Sequence, residues 1–231
     1  KMGDLDLGLH IRRTELLASG CTLSETTAAI AASLGVRHPI VPMSDDPIRT
    51  ITLTDVGELP FQEYFVKYSC EPKILGVRFD GLERARPSEG FAKALRESDA
   101  IVLCPSNPVV SIGPVLAIPG VHECFESFAG PRLGVSPIVG GQALKGPAAK
   151  MMIELGEQSS NVGVASRYLG LLDTLVIDNT DRWEVPGIEA LGIAAYVTST
   201  VMGSGRDKTR LGKEILHLIT DKLASMQASR G

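Results

Sequence analysis

The sequence predicts an α/β fold: a doubly wound, mostly parallel, Rossmann-like sheet with helices on both faces and a β-hairpin-containing insert. Three observations carry this. From residue 88 onward, short apolar runs such as "DAIVLC", "DTLVID" and "IAAYVTST" alternate with helical stretches, the rhythm of a parallel sheet covered on both sides. Before residue 88, "IRTITLT" and "LPFQEYFVKY" alternate in polarity and are joined across "DVGE", the pattern of a hairpin. The 231 residues, 44% hydrophobic and 22% charged, are enough to bury a full core.

In chain order, "KMGDLDLGLHIRRTELLASG" enters a helical pattern almost at once through Leu9, Arg12, Arg13, Leu16 and Leu17. "SETTAAIAASLG" predicts a compact helix with Ser24 as N-cap, Glu25 at the positive end of the dipole and Gly35 as the stop. "HPIVPM" reads as a strand leading to "SDDP", and the hairpin follows. Then come helical "SEGFAKALRES", strand "DAIVLC", helical "PGVHECFESF", strand "RLGVSPIV", helical "GPAAKMMIELG" and helical "SNVGVASRYLGLL". Strand "DTLVID", helical "GIEALG", strand "IAAYVTST" and a long helix from about Asp207 complete the series. This divides the chain into 1–87, a helical segment with the hairpin insert on the substrate side, and 88–231, the Rossmann-like layer. Together they make one compact domain. No strand with a glycine-rich turn precedes the first helix, so the expectation is a domain lacking an N-terminal βα segment.

Lys and Arg number 23 against 27 Asp and Glu, for a net charge of −4. The absence of a basic run argues against a nucleic-acid or membrane-surface binder. Apolar runs fall short of the roughly 20 residues of a spanning helix, and the expected location is cytoplasmic. Cys21, Cys70, Cys104 and Cys124 form no C-x-x-C pair and are expected as reduced core thiols. The four histidines are scattered and suggest no zinc site.

Parallel sheets bind ligands beyond the carboxyl ends of their strands, which makes the strand-end loops the candidates. "CPSNPVVSIGP" holds Ser106 and Asn107 between Pro105 and Pro108, with Ser111 and Gly113 following. The prolines stiffen the loop, which lowers the ordering cost of binding a phosphate or sugar hydroxyl; a purely structural turn is the alternative. "SPIVGGQALKGPAAK" offers Gly140 and Gly141 for a tight turn, Lys145 as a cation, and Pro147 at a helix start; an ordinary strand-to-helix turn with a solvated lysine is the alternative. The order is not that of a Walker P-loop. In "PMSDDPIRT", Asp45 and Asp46 can hold Mg²⁺ or orient a hydroxyl, but Ser-Asp-Asp-Pro is equally a turn sequence. Asp178 and Asp181 are weaker candidates. The basic group Arg206, Lys208, Arg210 and Lys213 reads as a solvated face.

Six segments, "GDLDLGLHIRRTELL", "PMSDDPIRT", "FQEYFV", "PSNPVVSIGP", "SPIVGGQALKGPAAKMM" and "LDTLVIDNTD", occur in an order and spacing that resembles the 2-phospho-L-lactate transferase family of deazaflavin coenzyme F-420 biosynthesis. The resemblance covers nearly the whole chain. It implies transfer of a phospholactyl or phosphoenolpyruvyl group from a guanosine diphosphate-linked donor to the ribityl hydroxyl of the deazaflavin Fo, releasing GMP, with Mg²⁺ assisting. The family pattern matches at Ser44, Asp45, Asp46, Ser106, Asn107, Ser111, Gly113, Gly140, Lys145, Gly146 and Pro147. On this resemblance, 106–113 and 145–148 serve the diphosphate or guanosine, and Asp45 and Asp46 the Fo hydroxyl or a metal-bound water. The family's glycine-rich first loop and its aspartate-containing stretch have no counterpart in these residues, so the main metal ligands are expected upstream of Lys1. Leu5 stands where the family usually has a basic residue. A homodimer is left open. A rival reading is a non-catalytic nucleotide-sugar-binding regulatory protein of related fold; its glycine-rich loops differ from the Ser-Asn pair and "SDDP" seen here, and GMP release in the presence of Fo separates the two.

Overall fold

The computed structural model describes residues 3–143 and 146–228. The chain opens with two helices, α1 (Asp4–Ala18) and α2 (Leu23–Ser33). α2 is capped by Thr22 and not, as predicted, by Ser24. The Thr22 hydroxyl accepts from Glu25 N at 3.1 Å and the Glu25 carboxylate accepts from Thr22 N at 2.8 Å, a capping box. Gly35 ends the helix with φ of 70°.

The predicted strand over 38–43 is not formed. Pro39 and Pro42 remove two ladder donors, and the segment is instead latched to the next helix: Ser88 donates through its hydroxyl to Pro42 O (2.6 Å) and through its backbone to Met43 O (3.0 Å).

A three-stranded antiparallel sheet follows, made of β1 (Arg49–Thr54), β2 (Gly57–Pro60) and β3 (Ile74–Asp80), in the order β2-β1-β3. The predicted hairpin is present as β1–β2, but its second arm ends at Pro60. "EYFVK" is a short π-helix (Glu63–Lys67), because its real spacing is four: Phe61 stacks on Phe65 with ring centroids 5.8 Å apart, and Glu63 pairs with Lys67 at 2.5 Å. β3 is a strand that the sequence reading missed.

The main layer comprises α3 (Glu89–Glu97), β4 (Ile101–Leu103), a π-helix (Pro108–Ile112), α4 (Gly113–Leu116), α5 (Val121–Glu126), β5 (Arg132–Val135), a small hairpin of β6 (Ile138–Val139) and β7 (Gln142–Ala143), α6 (Ala148–Glu154) and α7 (Asn161–Arg167). β8 (Thr174–Asp178), a 3₁₀ turn (Asn179–Glu184), α8 (Val185–Glu189), β9 (Ala194–Thr198) and α9 (Gly205–Ala228) complete it. The parallel sheet runs β4-β5-β8-β9.

Helices cover both faces of this sheet. Ile101, Leu103, Leu175 and Ile177 pack with Val121, Phe125, Val164 and Ile188 on one side. Leu133, Val135 and Val176 meet Leu211 and Ile215 of α9 on the other. The alternation follows from the two-residue period of a strand. Gly134 lets Leu172 pack against the strand: a Cβ there would lie 2.4 Å from Leu172 Cδ1 and force that side chain to move. The sheet is parallel as predicted, but among the described residues its strand order advances in one direction, so the reversal that defines double winding is not seen in them.

The antiparallel sheet is joined to the layer through a shared core of Leu59, Tyr64 and Ile74 with Val109 and Met151. Lys150 adds a polar clasp, donating to Pro72 O (2.8 Å), Glu154 Oε2 (2.8 Å) and Tyr64 Oη (3.3 Å). None of the four cysteines is buried: Cys21 and Cys70 are intermediate, Cys104 and Cys124 exposed. Among the described residues no helix is long and apolar enough to cross a membrane.

Candidate active site

The carboxyl ends of β4, β5 and β9 converge on a cleft of about 240 Å³ lined by Pro105, Asn107, Ser136, Pro137, Ala148, Thr200, Met202 and Lys208. Each wall has a local cause. After β4 the chain turns through Pro105 to Asn107, whose Oδ1 accepts from Val109 N (2.9 Å) and Val110 N (3.3 Å). Asn107 thereby caps the Pro108–Ile112 helix, and Pro108 occupies a first-turn position where a missing N–H costs nothing. The proline-rich loop after β4 is therefore a capped helix start, with Asn107 lining the cleft and its amide nitrogen 3.5 Å from Met151 Sδ. Ser136 is 2% exposed, and its Oγ accepts from Ile138 N at 3.2 Å.

The wall beyond β9 is fixed by Asp178, the last residue of β8. Its Oδ1 accepts from Thr180 N and Oγ1 (3.0 and 2.8 Å), its Oδ2 from Thr200 N and Oγ1 (2.7 and 3.3 Å). Burial pushes the Asp178 carboxyl up, but these four hydrogen bonds outweigh it and hold its pKa below the ordinary value. α9 then begins behind a Ser204–Asp207 cap, with Ser204 Oγ to Asp207 Oδ2 at 2.7 Å. Lys208 stands in its first turns, its ammonium without a partner among the described residues. Arg210, by contrast, is taken up by Glu214 (2.9 Å) and Ser199 O (2.5 Å). Hydroxyl, amide, cation and helix N-terminus therefore face one concavity, a setting that suits an anionic, polyoxygenated ligand.

The sequence-predicted residues divide. Asn107 lines the cleft, and Gly146 (φ 70°) and Pro147, the N-cap of α6, lie just before Ala148. Ser106 is half-buried in the turn, and Ser111 is exposed on the helix, its N–H bonded to Asn107 O (3.0 Å). Gly113 faces Phe79 and not this cleft; a Cβ there would sit 3.2 Å from Phe79 Cζ. Gly140 and Gly141 form the two-residue turn of the β6–β7 hairpin with φ of 60° and 73°, a turn that demands positive φ. The predicted strand-to-helix phosphate turn is thus corrected there, since the Gly140 amide is already given to both oxygens of Asp181 at 3.0 Å. Lys145 lies outside the described residues.

Ser44, Asp45 and Asp46 lie outside the cleft lining. Ser44, 2% exposed, donates to Arg86 O (2.6 Å) and accepts from Asp46 N (3.1 Å). Asp45 accepts from Ser24 N (2.6 Å) and Ser24 Oγ (2.9 Å), tying the first turn of α2. Asp46 accepts from Arg86 N through Oδ2 (2.9 Å), and its Oδ1 has no partner among the described residues.

The profile of the family described as "2-phospho-L-lactate transferase CofD" matches residues 1–189. The chain belongs to the CofD family. It is 35% identical over 220 residues to the 2-phospho-L-lactate transferase of Methanococcoides burtonii, covering 95% of this chain and 71% of that one. It is 37% identical over 222 residues to the phosphoenolpyruvate transferase of Streptomyces griseus, covering 94% and 70%. The fold is similar to that of protein BH3568 from Bacillus halodurans, with a TM-score of 0.64 at 15% identity, over 89% of this chain and 70% of that chain. The CofD-family chain is therefore a transferase of coenzyme F-420 biosynthesis.

Within this CofD-family chain, the site residues that sequence reasoning missed are Ser136 and Thr200, with Lys208 misassigned to a solvated face and Asp178, a weaker candidate, standing behind them. A signal for Thr200 was available. "YVTST" ends a parallel strand, and the strand-end rule that singled out Asn107 applies there equally. Lys208 was hidden among four basic residues, of which the structure leaves it, and not Arg210, facing the cleft.

Proposed function

We propose that the strand-end cleft binds the guanosine diphosphate-linked donor and that the chain transfers its phospholactyl or phosphoenolpyruvyl group to Fo. The observation that carries the reading is the convergence of Asn107, Thr200 and Lys208, which has no partner among the described residues, on one cleft at the carboxyl edge of the sheet. In the reaction the Fo hydroxyl oxygen bonds to the phosphorus carrying the three-carbon acid. The bond from that phosphorus to the bridging oxygen breaks, GMP leaves with its electron pair, and the hydroxyl proton goes to a base. Such displacements are catalysed by alignment and by neutralising charge. Lys208 offers that neutralisation to the diphosphate, and Asn107 positions it.

Of the two aspartates, Asp46, whose Oδ1 has no partner among the described residues, is the better choice for the proton, while Asp45 holds α2. Among the described residues there is no all-protein cage for Mg²⁺, an ion commonly held by one or two carboxylates together with substrate phosphates. No three His, Cys, Asp or Glu side chains come together among them, and both oxygens of Asp45 are given to Ser24.

The relatives carry both names, lactate and enolpyruvate, at similar identity, so the test supplies both donors. GMP release is measured with lactyl and enolpyruvyl diphosphoguanosine, each with and without Fo. Fo-dependent GMP release with either supports the proposal, and the faster donor names the substrate. No release with either leaves a binding protein.

A further inference from the structure

A second cleft, of about 520 Å³, opens at the other end of α6. Ala148, at the start of that helix, lines the first cleft and Leu155, just past its end, lines the second; seven residues at 1.5 Å each set the two about 10 Å apart. Phe79 of β3 forms one wall and Leu116 and Leu171 contribute others, so the cleft lies between the antiparallel sheet and the parallel layer.

Two donors in it have no acceptor. Tyr168 is 4% exposed with its ring in the main core, yet its hydroxyl has no hydrogen-bond partner among the described residues. Burial pushes its phenol pKa up, against the lowering by the Arg167 charge, so the group keeps its proton and stays a donor. Arg167 is held side-on by Glu157, Nε to Oε2 at 2.6 Å and Nη2 to Oε1 at 2.7 Å. That pairing occupies both Glu157 oxygens and leaves Arg167 Nη1 without a partner among the described residues. Neither donor is sealed from solvent, since the Arg167 side chain is 29% exposed and both residues line the cleft; two accessible donors side by side on one concavity suit a ligand that brings the acceptor.

We propose that this cleft is a second small-molecule site for a flat aromatic carboxylate, its ring between Phe79 and Leu116 and its carboxylate on the Tyr168 hydroxyl and Arg167 Nη1. The apolar walls select the ring, and the two donors select an oxygen acid. Glu157 does not oppose it, because its charge is already paired. The site is separate from the transferase cleft, and the proposal stands whether or not the donor assignment holds.

The probe is 2-naphthoate, titrated into the full chain by fluorescence and calorimetry, with GMP as competitor. The expected result is saturable one-to-one binding that GMP does not displace. Tyr168→Phe, which keeps the ring and removes one hydrogen bond, should weaken it on the order of 3- to 10-fold, and Leu116→Trp, which fills the cleft, should abolish it. Should Leu116→Trp fail to fold, wild-type chain supplies the same answer: nuclear Overhauser contacts from the naphthoate ring to the Leu116 and Leu171 methyl groups are expected, and their absence would overturn the proposal. So would an absence of binding at millimolar probe, displacement by GMP, or unchanged affinity in Tyr168→Phe.

Discussion

Asp178 receives both the backbone N–H and the hydroxyl of Thr200, at 2.7 and 3.3 Å, across the ends of two neighbouring parallel strands. The bond fixes where the chain leaves β9, and so where Thr200, Met202 and the start of α9 stand around the cleft. Asp178→Asn keeps the size but removes the charge and half of the acceptor capacity. The expected loss is about 2 kcal/mol, the scale of hydrogen bonds to a charged group, seen as a melting temperature lower by about 4–8 °C. The pH dependence has a definite sign. The folded pKa is depressed, so the stabilisation is present above the unfolded value of about 3.9 and is lost as pH falls through the folded one. Urea melts of wild type from pH 6 downward should therefore lose stability in that acid window more steeply than melts of Asp178→Asn.

Asn107 serves both the helix and the cleft, and two substitutions separate the roles. Asn107→Ala removes the cap, at about 1 kcal/mol, together with the amide facing the cleft. Asn107→Asp keeps a capping acceptor but replaces a donor by a negative charge beside the donor's phosphates. The alanine variant should lose both melting temperature and affinity for GDP. The aspartate variant should melt close to wild type and bind GDP at least about tenfold more weakly, by loss of a charge-assisted bond. Equal GDP affinity in wild type and Asn107→Asp would remove Asn107 from the site.

The two adjacent aspartates should behave differently although the sequence makes them look alike. Asp45→Ala releases Ser24 from the first turn of α2 and should cost about 1–2 kcal/mol. Asp46→Asn keeps its acceptor for Arg86 N and should fold normally, while kcat falls by about 10²- to 10⁴-fold if it takes the proton. If Asp46→Asn keeps more than about a third of wild-type turnover, far from the loss of a general base, the proton goes elsewhere.

Gly134 supplies a test of the packing. Gly134→Ala places a methyl 2.4 Å from Leu172 Cδ1 in the middle of the core, and overpacking of this kind costs about 1–3 kcal/mol. Denaturant melts should show the loss with no change in GDP affinity, since Gly134 points away from both the cleft and α9.

These contrasts mark what the sequence makes legible. The parallel layer from Ser88 to α9 is readable because β4, β5, β8 and β9 are short apolar runs bounded by caps and turns, although only β8 is buried throughout. The segment over 38–43 misled because its apolar residues look strand-like while Pro39 and Pro42 deny it a ladder. "FQEYFVKY" misled because alternation and a four-residue spacing coincide over so few residues; the stacking of Phe61 on Phe65 and the Glu63–Lys67 pair distinguish them. Asn107 was legible from the strand-end rule. The tight turn at Gly140 and Gly141 is legible because glycine marks positive φ, but glycine does not say what the freed amide faces, and the Gly140 amide, a substrate candidate by resemblance, is taken by Asp181 from 41 residues away. Lys208 was beyond composition altogether, since its difference from Arg210 lies in which neighbour each finds.

The central claim is that the strand-end cleft holds the donor's diphosphate, with Lys208 as its cation. The most direct test is isothermal titration of GDP into wild type and Lys208→Met at one ionic strength, with melting curves as the fold control. A charge-assisted hydrogen bond is worth about 1.5–3 kcal/mol, so the account predicts GDP binding about 10- to 100-fold weaker in Lys208→Met at an unchanged melting temperature. Affinity within about twofold of wild type, well inside what one neutral hydrogen bond is worth, would contradict it and place the diphosphate elsewhere.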